Sequence, residues 1–289
     1  IIANPSFTPS YVQTSKRYTR QRWLKVFCYF RVRGWGFKLI SWFKRDPCNL
    51  HYLDAQSFLG HKPRLRDLRT LDLIDWNWRE AVNRFPKAKR VFFGLQLFPE
   101  ASIDYWLANI NLIDYENLVV RAAQAFSLQG YLVLVKDHPS QFGFRQHELI
   151  DRLKNIPHVI FLPYEVSGNE AVSLVDTNFT LTGTLGLQSA LLGLTSIVSP
   201  TYYATEGDFL KFDELAEIES LPQRAQSWQD ALALPQRQRR ILANLLAGSF
   251  EGDYFSFRGF RPDAPPPSVV ILARNLGNRL RKVIRHGLQ

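Results

Sequence analysis

Between Arg90 and Pro200 short apolar runs alternate with segments of helical period, and this alternation constrains the fold more than any other feature of the chain. The spacing predicts strands over 90–97, 131–135, 158–162, 177–181 and 195–199, and helices over 113–128, 144–154, 168–174 and 185–193. Strands separated by helices of this length form βαβ units, and βαβ units build a parallel sheet. The expected fold class is therefore α/β, a Rossmann-like parallel sheet with flanking helices. Three clusters of polar and turn-forming residues fall where strands give way to helices: Leu95 to Ser102, Val135 to Ser140 and Thr182 to Gly186. In an open parallel sheet those strand ends share one edge, and ligands bind there.

Each cluster has residues suited to an anionic ligand. Pro139 fixes the backbone after His138 and biases His138 towards extended geometry. Lys136 lies two residues earlier, on the same side of the strand. Together they offer a cation and an imidazole donor to a phosphate; the alternative is an ordinary loop histidine. Thr182, Gly183, Thr184 and Gly186 supply hydroxyls and a tight turn at a helix N-terminus, where N–H groups and the helix dipole favour an anion. The same residues also read as an N-cap, Thr184, with glycines for close strand–helix packing. It is not a Walker loop. Glu100 could accept a proton from an attacking hydroxyl, or cap a helix together with Ser102 and Asp104. The sequence has no Cys/His cluster of metal-ligand spacing and no nucleophile elbow, so no metal cofactor is expected.

The flanks differ in composition. From Lys16 to Arg45 ten Lys or Arg residues occur without an acid, interleaved with Trp23, Phe27, Trp35, Trp42 and other aromatics. Such a stretch suits an anionic membrane surface, or a helix packing its aromatics on a neighbouring layer. A final helix over 268–286 is also basic and acid-free. A helix over 75–84 and a longer one over 226–247, interrupted near Pro235, complete the expected elements. The expected organisation is a linker and basic-aromatic segment over 1–87, a Rossmann-like domain over 88–200 and a helical segment over 201–289. The net charge of +10 implies an anionic partner, while nucleic acid is disfavoured because no known binding motif occurs. Two cysteines suit a reduced, cytoplasmic setting. No apolar run reaches the roughly 18 residues of a membrane span, leaving peripheral association with the inner face of the cytoplasmic membrane. The opening Ile1-Ile2-Ala3-Asn4-Pro5, in a chain without Met, reads as a fragment lacking an N-terminal part.

Taken in order, Gly94 to Ser102, Val135 to Pro139 and Thr182 to Ala190 resemble the bacterial capsule polysaccharide biosynthesis proteins, which include Kdo transferases of the GT-B type. The resemblance implies a two-domain glycosyltransferase of which this chain holds the nucleotide-binding C-terminal half. It implies that His138 and Pro139 meet the nucleotide phosphate, that Thr182, Gly183, Thr184 and Gly186 hold the donor, and that Glu100 is the base. Gln96, Lys136 and Gln188 complete the implied donor site. Gln188 is a departure, since the family often has Glu there and an amide accepts from a ribose only through its oxygen.

The expected function is transfer of a sugar from a nucleotide-activated donor, CMP-linked and Kdo-like, to a polysaccharide or glycolipid acceptor. The nucleotide sugar would be a co-substrate, with no cofactor. Two alternatives share the same phosphate cradle: transfer of a polyol phosphate from a CDP donor, and nucleotide binding by a non-catalytic, membrane-associated subunit.

Overall fold

The computed structural model describes residues 18–44, 64–97, 108–230, 232–248 and 267–287. Those residues fall into two compact units, one ending at Gln238 and one beginning at Arg239.

In the first unit, helix α1 (Arg20–Lys44) is followed by a 3₁₀ segment (Leu65–Asp72) and the short helix α2 (Trp78–Asn83). Strand β1 (Arg90–Gly94) leads through α3 (Tyr115–Leu128) to β2 (Leu132–Lys136), and α4 (His147–Lys154) leads to β3 (Val159–Leu162). Helix α5 (Gly168–Val172), β4 (Thr177–Phe179), α6 (Thr184–Leu191) and β5 (Thr195–Val198) continue the alternation. A two-residue strand β6 (Leu210–Lys211), a 3₁₀ segment (Leu215–Ser220), α7 (Leu221–Ser227) and α8 (Leu234–Gly248) follow, with α8 running across the boundary between units. Helix α9 (Pro267–Gly287) lies in the second unit.

The strands form one parallel sheet in the order β3-β2-β1-β4-β5-β6. This is the doubly wound Rossmann order, and its direction reverses between β1 and β4. Both faces are covered, so β1, β2 and β3 are apolar along almost their whole length rather than alternating with polar residues, while β4 and β5 carry the buried polar Thr177, Asn178 and Ser196. In β1 and β2, Val91, Phe93, Val133 and Val135 face one layer, against α3, α4 and the inner side of α1. Phe92, Leu132 and Leu134 face the other, against Trp78, Val82, Ala171 and Val172. Rings of Phe93, Phe179 and Phe212 stack across β1, β4 and the chain after β6, with centroids 4.7 and 5.4 Å apart.

The strands and helices between 90 and 200 stand where the alternation predicts them, each within a few residues of its expected ends. Two differences have physical causes. Pro235 lies at the start of α8 instead of interrupting a helix; in the first turn a proline has no intrahelical N–H to lose. The sheet also draws on chain outside 88–200: β6 pairs with β5 through Ile197–Leu210 and Val198–Lys211, and Trp23 and Leu71 join the core.

An ion-pair cluster ties the 65–72 segment to α4. Asp67 accepts from the Arg64 side chain at 3.0 Å and from His147 Nδ1 at 3.0 Å, and Glu148 accepts from Arg64 at 2.6 Å and Arg66 at 2.7 Å. Burial opposes the charge on Asp67, but hydrogen bonds from Arg64 and His147 outweigh it and hold its carboxyl below the usual range. Asp67, His147 and Glu148 are close enough to share a cation, yet two guanidiniums already neutralise these carboxylates. The cluster is a clamp.

Candidate functional site

The three sequence clusters meet at the C-terminal edge of neighbouring strands. Gly94 at the end of β1 pairs with Lys136 at the end of β2, and Phe93 pairs with Phe179 of β4. The chain leaves the sheet here on both sides of the point where strand order reverses.

Gln96 joins all three loops. Its backbone N–H donates to Tyr115 Oη at 2.7 Å, and its carbonyl accepts from Arg145 Nη2 at 2.7 Å. Its side-chain oxygen accepts from the amides of Thr182 at 2.9 Å and Gly183 at 2.6 Å, and from Thr180 Oγ1 at 3.1 Å. Gln96, expected to meet the donor, braces the β4 loop. Tyr203 closes that loop from the other side, its hydroxyl donating to Gly183 O at 2.6 Å.

Gly183, in extended geometry, is the N-cap of α6, and the exposed Thr184 is the first helical residue rather than the cap. Because Gln96 occupies the Thr182 and Gly183 amides, the N–H groups left for a ligand begin at Thr184, where the helix has no intrahelical acceptors to give them. Gly186 serves packing. A Cβ there would come within 2.6 Å of Tyr203 Oη and 2.7 Å of Val198 Cγ1. Gln188 is half-buried two residues further along α6.

On the β2 loop, Asp137 is the organising residue. It is fully buried, accepts from Arg145 Nε at 2.9 Å, from the His138 backbone N–H at 2.8 Å and from Tyr164 Oη at 2.6 Å. Burial works against the Arg145 charge, but Asp137 outweighs it and holds the guanidinium above its ordinary value. Burial, with the Asp137 charge adding to it, pushes the Tyr164 hydroxyl well up. Burial also takes Tyr115 up to about 12.

His138 is half-buried and caps the 3₁₀ turn Pro139–Gln141, its Nδ1 accepting from the Ser140 N–H at 3.2 Å. Burial, helped by the nearby cations Lys136 and Arg145, lowers its pKa to about 4 against the pull of Asp137. The imidazole is therefore neutral at physiological pH, with its proton on Nε2, and it acts as a neutral donor. Lys136 is buried, and its ammonium donates to the Asp137 carbonyl at 3.2 Å. Burial lowers its pKa to about 8, with Asp137 and Glu165 offsetting part of the effect.

Glu100, Ser102 and Asp104 lie outside the described residues. Asp137, Arg145, Tyr115, Tyr164 and Tyr203 were not singled out from sequence. Asp137 stood inside the Lys-Asp-His-Pro cluster; the others carry no local signal, because their partners lie 8 to 49 residues away.

Fold and site together define a parallel α/β protein whose polar loops converge at the switch point of a Rossmann-order sheet. No protein-family model matches the chain, and no curated protein does. Among solved structures, the chain is similar to Thermosulfurimonas dismutans KpsC, a beta Kdo 2,4 transferase, at 18% identity and a TM-score of 0.37. The similarity covers 53% of this chain and 44% of that one.

Proposed function

We propose that this chain is the nucleotide-binding part of a glycosyltransferase that uses a CMP-linked, Kdo-like donor. The observation that carries the reading is the convergence of the β1, β2 and β4 loops on one sheet edge at the switch point, where doubly wound sheets bind nucleotides. The ordered resemblance of the same three loops to capsule polysaccharide biosynthesis proteins supports the choice of donor. In this reading the donor phosphate sits between the first N–H groups of α6, from Thr184 onward, and the Lys136 ammonium, with His138 Nε2–H as a neutral donor. These groups stabilise charge on the departing phosphate as the acceptor hydroxyl attacks, and Glu100 takes the hydroxyl proton. The acceptor is a polysaccharide or glycolipid.

Calorimetric titration with CMP, CDP, UDP and ADP tests the nucleotide. CMP is expected to bind most tightly, and tighter binding of UDP or ADP would overturn the assignment. Tighter binding of CDP, with turnover of a CDP-polyol, would move the protein to polyol-phosphate transfer. Glu100→Gln should abolish transfer from a CMP-sugar while leaving CMP affinity unchanged; equal transfer by the variant would remove Glu100 from the chemistry.

A further inference from the structure

Helix α1 has two apolar faces on opposite sides. Trp23, Val26, Phe27 and Phe30 recur at three- and four-residue spacing on the inner face. Trp23 is 2% exposed within the core, Val26 and Phe27 pack against it, and Phe30 meets Phe144 edge-on at 4.5 Å. The second stripe runs through Leu24, Cys28, Val32, Trp35, Leu39 and Trp42, again at spacings of three and four. It faces away from the core: Val32 is 72% exposed, Trp35 75%, Leu39 58% and Trp42 73%. No helix among the described residues is long and apolar enough to cross a membrane.

The charges around the outer stripe are of one sign. Arg31 and Lys38 follow one border, Lys25 lies on the other, and α1 contains no acid from end to end. We infer that the outer face of α1 is a docking surface for an anionic lipid bilayer, on which the helix lies flat with its stripe at headgroup depth. Indole rings are amphipathic and favour that depth, and the flanking cations meet lipid phosphates. From Trp23 to Phe30 the inner face is already fixed to the core, so docking asks for no rearrangement of that part of the helix. A second copy of the chain fits less well as occupant, because pairing the stripes would bring two sets of like charges together. This inference is independent of the identity of the nucleotide.

The test uses the whole chain with vesicles of phosphatidylcholine alone and of phosphatidylcholine mixed with phosphatidylglycerol. The protein should sediment with the anionic vesicles at low salt, be released by high salt, and stay in solution with neutral ones. In a Cys48→Ser background, anionic vesicles should also protect Cys28, which is exposed in the free protein, from a water-soluble maleimide. Trp35→Glu with Leu39→Glu should weaken sedimentation at least tenfold without changing the thermal unfolding transition. Lys25→Glu with Lys38→Glu keeps the stripe and should weaken it as well. Failure of the wild type to sediment, equal binding to neutral vesicles, or a fully reactive Cys28 on the vesicle would each overturn the proposal. So would a solution dimer that the Trp35/Leu39 variant dissolves without any vesicle binding, which would assign the stripe to a second copy.

Discussion

The Gln96 side-chain oxygen lies 2.6 Å from the amide nitrogen of Gly183, joining the loop after β1 to the loop after β4 across the reversal in strand order. The amide donors that a glycine-containing strand–helix turn would offer to an anion are thus already held by an internal carboxamide. The backbone donors left open to an anion therefore begin at Thr184.

This makes Gln96→Ala informative. It removes an acceptor from the Thr182 and Gly183 amides in a buried setting, which costs about 1–3 kcal/mol. Thermal unfolding should show that loss, and millimolar phosphate or CMP should restore part of it by supplying oxygens to the freed amides. Gln96→Glu keeps the acceptor and should remain folded, but its charge should weaken CMP binding as measured by calorimetry. A Gln96→Ala variant as stable as the wild type would show that the bridge contributes nothing.

The pH dependence of binding should follow Lys136. Its folded pKa of about 8 lies below the ordinary lysine value of 10.5, and an anion favours the charged form. CMP affinity should therefore fall as pH rises through about 8, by up to about tenfold per unit, and Lys136→Met should remove that alkaline limb. His138 acts on stability instead. Its folded pKa of about 4 lies below 6.5, so the folded state resists its protonation. The contribution of neutral His138 is complete above pH 6.5 and is lost as pH falls towards about 4. Denaturation in urea across that window, compared with His138→Ala, measures the difference. The imidazole is neutral near pH 7 but its phosphate acceptor is charged, so His138→Ala should cost CMP binding about 1.5–3 kcal/mol, the range of a hydrogen bond to a charged group.

The Asp137–Arg145 pair should be a stability element before it is anything else. Both side chains are buried, at 0% and 4% exposure. Removing one partner strands a charge, at about 3–5 kcal/mol. Asp137→Asn and Arg145→Met should each lower the urea midpoint sharply, and the double variant should lose less than the two losses added together. Additive losses would mean that the two residues act separately.

The fold was legible because both periodicities were strong: β1, β2 and β3, buried on both faces, read as apolar runs, and the segments between the strands carry the helical period. The two-residue β6 escaped, since Leu210 and Lys211 are too few to show a pattern and follow an irregular stretch. At the site, Lys136, His138 and Thr182 to Thr184 were readable because position at a strand end is a local property. The interactions of Gln96, Asp137 and Arg145 were not, because each depends on which strands become neighbours. Helix α1 read as a single mixture of basic and aromatic residues. Only the packed core shows that Trp23, Val26, Phe27 and Phe30 turn inward while Val32, Trp35, Leu39 and Trp42 stay exposed.

A last prediction concerns the central strand β4. Asn178 is fully buried, and among the described residues neither its side-chain oxygen nor its nitrogen has a hydrogen-bond partner. It pairs in register with Phe92 on one side and Ser196 on the other. Ser196 sends its hydroxyl to Gly186 O at 2.8 Å and is no partner to the amide. Burying a polar group without a partner costs about 1–3 kcal/mol. Leucine shares the branching of asparagine and has no polar atoms, but its methyl groups are bulkier and overpack a site this closely filled, so Asn178→Leu should raise the melting temperature by only part of that amount. Asn178→Ala would separate the two effects, because it removes the amide but leaves a cavity whose cost offsets the gain. If Asn178→Ala lowers the melting temperature by more than its cavity accounts for, the amide is engaged in the native state, and its place two residues before Thr180 would tie that engagement to the β4 loop.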